Sequence, residues 1–174
     1  MKYISGLMLE GVRVFDLKKI PDERGFFSEV FRSDWKELIG SDTIVQVNFS
    51  LIYPDTVKAW HRHANGKIEY FSALRGAIKV CTFDFTSRTM DEIFLSGEKL
   101  QIARIPGNFW HGIKAIGNEP AYMLSITTQL YDYDKPDEER RAWNDSEIIP
   151  LAINGNTNDR RVRKPWDWFF PPHK

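Results

Sequence analysis

Short runs of β-branched and aromatic residues, cut at regular intervals by Gly- or Pro-bearing turns, constrain this chain more than any other feature. Such runs are read at Val12–Leu17, Ile44–Ser50, Val57–His61, Ile68–Leu74, Ala77–Phe83, Glu92–Leu95, Leu100–Ile105, His111–Ile116 and Ala121–Thr128. Between them stand Tyr53-Pro54-Asp55, Arg75-Gly76, Ser96-Gly97, Pro106-Gly107 and Gly117-Asn118-Glu119-Pro120. Glycine and proline supply the backbone angles that reverse a chain. Many short strands at even spacing close into a sandwich or barrel. The pattern therefore predicts an all-β fold. Short peripheral helices are expected beside it. One is Trp35–Gly40, with Ser33 or Asp34 as N-cap and Gly40 at its C-terminal end. Another is a helical turn within Asp134–Asn144, opening with Lys135-Pro136. From Asn154 the chain is polar and then aromatic, through Trp166, Trp168, Phe169 and Phe170 to Pro172. Such a tail needs a surface to dock on, either its own barrel or a neighbour's.

At 174 residues and 42% hydrophobic content, the chain suits one domain, 1–174, with a dense core. Lys plus Arg equals Asp plus Glu, 24 against 24. A nucleic-acid partner would need a basic surplus, so no nucleic acid is expected. The lone cysteine, Cys81, lies in a strand-like run and reads as an inert core residue. With no intrachain disulfide available, a reducing cytoplasmic setting is expected. No apolar run reaches the length of a membrane span, and the N-terminus lacks a signal-peptide profile. No membrane partner is expected.

Three of the four histidines fall into one arrangement: His61-Arg62-His63, then Glu69 and Gly76, and later Pro106-Gly107 followed by His111. Two residues two apart on a strand point the same way, so His61 and His63 share a face. A carboxylate and a third imidazole complete a pocket that binds a metal or moves protons. This pattern resembles the cupin β-barrel, a double-stranded β-helix or jelly roll. The spacing His61-x-His63-x5-Glu69-x6-Gly76 is similar to the first motif of metal-binding cupins, with His111 in the second. A His61, His63, Glu69, His111 set would suit Fe(II), Mn(II), Ni(II) or Zn(II), and would imply a dioxygenase or a metal-assisted sugar isomerase. Two positions differ from that template: Asp55 stands where it has its leading Gly, and Ala115 where it has its closing Asn. His173 reads as a structural tail residue, and Asp137-Glu138-Glu139-Arg140-Arg141 as a solvated charged face.

Further blocks carry a closer resemblance. Asp22-Glu23-Arg24-Gly25-Phe26-Phe27-Ser28-Glu29, Gln46-Val47-Asn48-Phe49-Ser50, Lys58-Ala59-Trp60-His61, Ile105-Pro106-Gly107-Asn108-Phe109-Trp110-His111-Gly112 and Trp143-Asn144-Asp145 are similar to signatures of one family. It is the dTDP-4-dehydrorhamnose 3,5-epimerases, a branch of the cupin fold. The resemblance runs from about residue 11 to about residue 150. It implies a nucleotide-sugar cavity with no cofactor. By this resemblance Arg24 holds the diphosphate, His61 is the base, and a C-terminal carboxylate, Asp159, orients it. Lys67 or Lys58 stabilises the enolate. Phe27, Glu29, Gln46, Asn48, Trp60, His63 and His111 join the substrate-binding set.

The chemistry suits these residue types. A carbon beside a ketone is acidic because its carbanion delocalises onto oxygen. A histidine can take that proton near neutral pH, and a cation at the oxygen stabilises the enolate. Inversion then needs an acid on the opposite face of the sugar. Counting back from Trp143, the family's catalytic tyrosine falls at Thr127, whose hydroxyl is too weak an acid. Tyr131 and Tyr133 lie just beyond it, and a bulge would present either one. The leading expectation is a sugar-nucleotide epimerase acting on a dTDP-linked 4-keto-6-deoxy hexose as a homodimer. The alternatives are the metal cupin and a cupin that binds a sugar nucleotide without turnover.

Overall fold

Alternation of side chains across each strand decides which residues face inward, and here it builds a two-sheet jelly roll. The computed structural model describes residues 2–3 and 6–171; His173 lies outside the described residues. The strands are β1 (Lys2–Tyr3), β2 (Arg13–Asp16), β3 (Ile20–Asp22), β4 (Gly25–Phe27), β5 (Gln46–Ile52), β6 (Val57–Arg62), β7 (Ile68–Arg75), β8 (Ala77–Asp84), β9 (Thr89–Ser96), β10 (Gln101–Pro106), β11 (Trp110–Ile116), β12 (Ala121–Thr127), β13 (Glu139–Arg140) and β14 (Ala152–Ile153). One helix, α1 (Lys36–Ile39), lies between β4 and β5. The first sheet runs β1-β2-β10-β7-β12-β5 and the second β13-β6-β11-β8-β9-β14; β3 and β4 form a separate hairpin. All nine strands expected from the sequence are present within a few residues of their predicted bounds.

Three apolar layers follow from this order. Between the sheets, Val14, Phe71, Ala73 and Ile105 of the first pack against Ile78, Val80, Leu95 and Ile113 of the second. On the outer face of the first sheet, Phe15, Tyr70, Ile102 and Ile126 bury Leu38 and Ile39 of α1. On the outer face of the second, Trp60, Cys81, Phe83 and Met90 are covered by Ile148, Ile153, Trp166 and Trp168. The aromatic tail thus docks on its own barrel, Trp168 lying 4.8 Å from Trp60 between ring centroids. Each such burial is worth roughly 1.5–3 kcal/mol. Cys81 is buried there, and burial pushes its thiol well above the ordinary range. No described helix is long and apolar enough to cross a membrane.

Two local expectations are corrected. The helix starts one residue late, at Lys36, and neither Ser33 nor Asp34 caps it; the Asp34 carboxylate is drawn to Arg32 instead, at 2.6 Å. Its end is as expected, with Gly40 in the positive-φ region that favours glycine. The stretch Asp134–Asn144 is not a helix but an extended segment whose β13 pairs with β6, Glu139 opposite Arg62 and Arg140 opposite His61. The open edge of β6 offers main-chain donors and acceptors, and pairing them outweighs a weak local helical preference.

The tail's seat makes a prediction. Trp168→Ala removes a fully buried indole, which costs about 3–5 kcal/mol, and should lower Tm by roughly 6–20 °C at about 2–4 °C per kcal/mol. Phe169→Ala, at a half-exposed neighbour, should move Tm by only a few degrees. Equal effects of the two in a thermal melt would show that the tail is not held through Trp168.

Candidate functional site

Both sheets contribute to one cluster. His61 on β6 stands directly opposite His111 on β11, so the two rings share a face, with centroids 4.1 Å apart. Glu69 comes from β7 of the other sheet, and His63 follows the end of β6. All three Nε2 atoms converge on one carboxylate oxygen. Glu69 Oε2 lies 2.9 Å from His111, 3.5 Å from His61 and 3.5 Å from His63. The four donor atoms lie within 4.8 Å of one another.

Main-chain contacts set this geometry. The His63 N–H donates to the Gly107 carbonyl at 2.7 Å, and the Gly107 N–H donates to the Lys67 carbonyl at 2.8 Å. A Cβ at position 107 would fall 2.1 Å from the Lys67 oxygen and 2.8 Å from His63 Cβ, so only glycine permits this approach. Two of the rings are also fixed in tautomer. His111 Nδ1 lies 2.9 Å from the Phe109 carbonyl and His63 Nδ1 2.8 Å from the Asp137 carbonyl. A carbonyl only accepts, so each Nδ1 carries a hydrogen, and the Nε2 of each ring is turned to Glu69. His63 Nε2 is buried and has no hydrogen-bond partner. His61 differs: its Nδ1 meets no such carbonyl among the described residues, and its side chain is 25% exposed against 1% for His63.

Charge follows burial. Burial pushes the Glu69 carboxyl up, but His111, His61 and His63 outweigh it and hold it well below the usual range. Burial, helped by His111, lowers the His61 pKa despite Glu69. Burial also pushes His63 down, yet the pull of Glu69 and the Asp137 carbonyl leave it raised. His61 is therefore the imidazole kept neutral, and a neutral imidazole can accept a proton.

Several residues named from the sequence lie near the cluster, around Thr127, the cross-strand neighbour of Glu69. Gln46 and Asn48 of β5 pair in register with Thr127 and Ser125 of β12, and the Gln46 amide donates to Asn48 Oδ1 at 2.7 Å. Gln46 Oε1 accepts from the Tyr131 N–H at 2.9 Å, and Lys67 Nζ lies 6.0 Å from the Tyr131 ring centroid. Lys58 is exposed, on the same face of its sheet as its cross-strand partner Ile113. The Thr127 hydroxyl donates to the Gln129 carbonyl at 2.8 Å, so the hydroxyl at the position where the sequence count puts the family's tyrosine is committed to the backbone.

Other expected residues lie elsewhere. Asp159 is on the outer side of the second sheet, 2.9 Å from Arg161, and lines a cavity of about 720 Å³ with Lys79, Glu92 and Trp168. It does not reach His61; Glu69 holds the carboxylate position instead. Trp60 packs into the outer aromatic layer rather than beside the histidines, because it neighbours His61 on β6 and successive strand side chains point to opposite faces. Tyr133 is 87% exposed. Arg24, Phe27 and Glu29 also lie outside. Arg24 pairs with Asp22 at 2.6 Å with 83% of its side chain exposed, Phe27 is 62% exposed, and Glu29 pairs with Arg32 at 2.6 Å. The charged run is more than a solvated face, since Asp137 fixes His63 through its carbonyl and accepts from the Asn65 N–H through its carboxylate. Sequence reasoning passed over Ser125, whose hydroxyl approaches Glu69 Oε1 at 3.4 Å. Alternation along β12 from Met123 carries that signal.

Comparison with known proteins agrees with this architecture. A probable low-salt glycan biosynthesis epimerase of Haloferax volcanii is 42% identical over 137 residues, 76% of this chain and 86% of that protein. A spore coat polysaccharide biosynthesis protein of Bacillus subtilis is 32% identical over 158 residues, 88% of this chain and 100% of that protein. The dTDP-6-deoxy-D-glucose-3,5-epimerase of Legionella pneumophila, solved with dTDP-4-keto-L-rhamnose, is similar with a TM-score of 0.75 at 25% identity, covering 84% of this chain and 80% of that one. Residues 6–162 match the family model of dTDP-4-dehydrorhamnose 3,5-epimerase. With that span matched and the jelly roll in place, the chain belongs to the dTDP-4-dehydrorhamnose 3,5-epimerase family.

Proposed function

We propose that this protein epimerises a dTDP-linked 4-keto-6-deoxy hexose, with His61 as the base. The observation that carries the reading is the His61 imidazole, kept neutral and partly exposed beside a buried carboxylate. With Nε2 turned towards Glu69, its Nδ1 keeps a lone pair for the proton on the carbon next to the ketone. The C–H electron pair moves into the enolate and onto the ketone oxygen. Lys67, at the cavity wall beside Tyr131, supplies positive charge for that oxygen. An acid on the opposite face then returns a proton to the carbon and inverts it. Tyr131, held by Gln46, suits this role better than Tyr133, which stands in solvent.

The reading has an assembly counterpart. Arg24 is the family's phosphate-holding position, yet it stands on an exposed hairpin beside Phe26 and Phe27. Val45, Val47, Phe49 and Leu51 form a second exposed apolar row along β5. A homodimer covering both would bring Arg24 of one chain to the cavity of the other. Thr127 supports a second reading, binding of the sugar nucleotide without turnover, because its hydroxyl cannot serve as the acid. A reducing cytoplasmic setting fits the single buried thiol.

Three measurements test this. In D2O with dTDP-4-keto-6-deoxyglucose, the wild type should introduce deuterium at C3 or C5, and His61→Ala should slow exchange by about 10²–10⁴-fold; binding without exchange would replace the epimerase reading with the binding one. Tyr131→Phe should keep exchange but reduce inverted product by about 10²-fold, whereas Tyr133→Phe should change neither. Light scattering should give twice the chain mass, and Phe49→Glu should shift it to the monomer; a monomeric wild type would remove the crossing role of Arg24.

A further inference from the structure

We propose that Asp137, together with Gln129, clamps the segment that carries Tyr131 and so acts as a positioning residue for the inversion step. The role in inversion rests on the epimerase reading with Tyr131 as the acid. The clamp follows from how the chain crosses the barrel. Residues 128–138 run from the end of β12 in the first sheet to β13 in the second, and residues 63–67 join β6 of the second sheet to β7 of the first. The two crossings meet at Asn65. Its N–H donates to both Asp137 carboxylate oxygens, at 3.2 Å and 3.3 Å, and its carbonyl accepts from the Gln129 amide at 2.9 Å. Asp137 also reaches His63, its carbonyl lying 2.8 Å from Nδ1. One residue thus grips the histidine-bearing turn through its side chain and its main chain together.

Tyr131 lies between these contacts. At the start of its segment the Thr128 N–H donates to the Ile68 carbonyl at 3.1 Å, and the Thr128 hydroxyl accepts from the Ile68 N–H at 2.9 Å. Just beyond Tyr131 the Asp132 carboxylate accepts from the N–H groups of Asp134 and Lys135, at 2.9 Å and 3.0 Å, closing a turn within the segment itself. Residues 132–136 are exposed, and the pairing of β13 begins only at Glu139. The return of this excursion to the barrel therefore depends on Asp137. An acid must come within hydrogen-bond reach of the carbon it protonates, and a displacement on the order of 1 Å costs about 10²-fold in rate. His61 has a different support, since it stands within β6 and is paired to β11. Proton removal can thus continue where the clamp is lost, while proton return from the opposite face suffers.

The test uses the full chain in D2O with dTDP-4-keto-6-deoxyglucose, scoring deuterium exchange and inverted product separately. Asp137→Ala should keep exchange within about threefold of the wild type and lower inverted product per exchange event by about 10-fold. Asp137→Asn, whose amide oxygen still accepts from the Asn65 N–H, should restore most of that loss. Asp134→Ala makes the same charge change at an exposed position of the same segment and should alter neither quantity. Should Asp137→Ala misfold in a thermal melt, Gln129→Ala decides, since it loosens the same clamp from the other side and should lower the ratio by about threefold or more. An unchanged ratio in the folded variant, or an Asp137→Asn no better than Asp137→Ala, overturns the positioning role and leaves the epimerase reading standing. Absence of exchange by the wild type would remove that reading and the inference with it.

Discussion

A carboxylate buried between two sheets needs polar company, and Glu69 has three imidazoles around one oxygen, His111 at 2.9 Å and His61 and His63 at 3.5 Å. Much of the inner architecture serves this one demand. An isolated ionised group in the interior would neutralise rather than persist. Here the surrounding rings keep it charged and well below its ordinary pKa. The rings come from two strands of the opposite sheet, so the cluster also fastens the sheets together at the open end of the barrel, while Val80, Leu95, Phe71 and Ile105 do so with apolar contacts deeper in.

The outer layers free that interior for chemistry. Helix α1 covers one sheet and the C-terminal segment the other, so neither sheet depends on the cavity for all its burial. The polar groups beneath the tail are matched among themselves: Arg161 lies 2.9 Å from both Glu92 and Asp159, and Lys114 lies 3.0 Å from Asp55. Such pairs stabilise modestly and have no reach towards the histidines. The cavity of about 720 Å³ beneath the tail is therefore bounded by a structural ion network, and His61, His63, Glu69 and His111 are not among its lining residues.

Membership of an epimerase family sets what the cavity accepts, and this chain departs from the family in how it is furnished. Thr127, where the count from Trp143 puts the family's tyrosine, has its hydroxyl turned to the backbone. His61, His63, Glu69 and His111 form one convergent set. Base and acid functions need only position and suitable protonation, so the same fold can distribute them over different side chains.

The sequence by itself determined the positions of the strands and the shared face of His61 and His63, because a period of two is local information. The family blocks likewise placed His61 and His111 in one cavity. Only the tertiary structure decided that Glu69, not Asp159, meets His61, since the two carboxylates differ in which sheet face they occupy and no local pattern records that. The same holds for Asp134–Asn144, drawn out of a helix by the open edge of β6. Asp137 acts through its carbonyl, an atom every residue carries, so its side chain gave no hint. Periodicity is written along the chain; partners across the barrel are set by packing, which balances every contact at once.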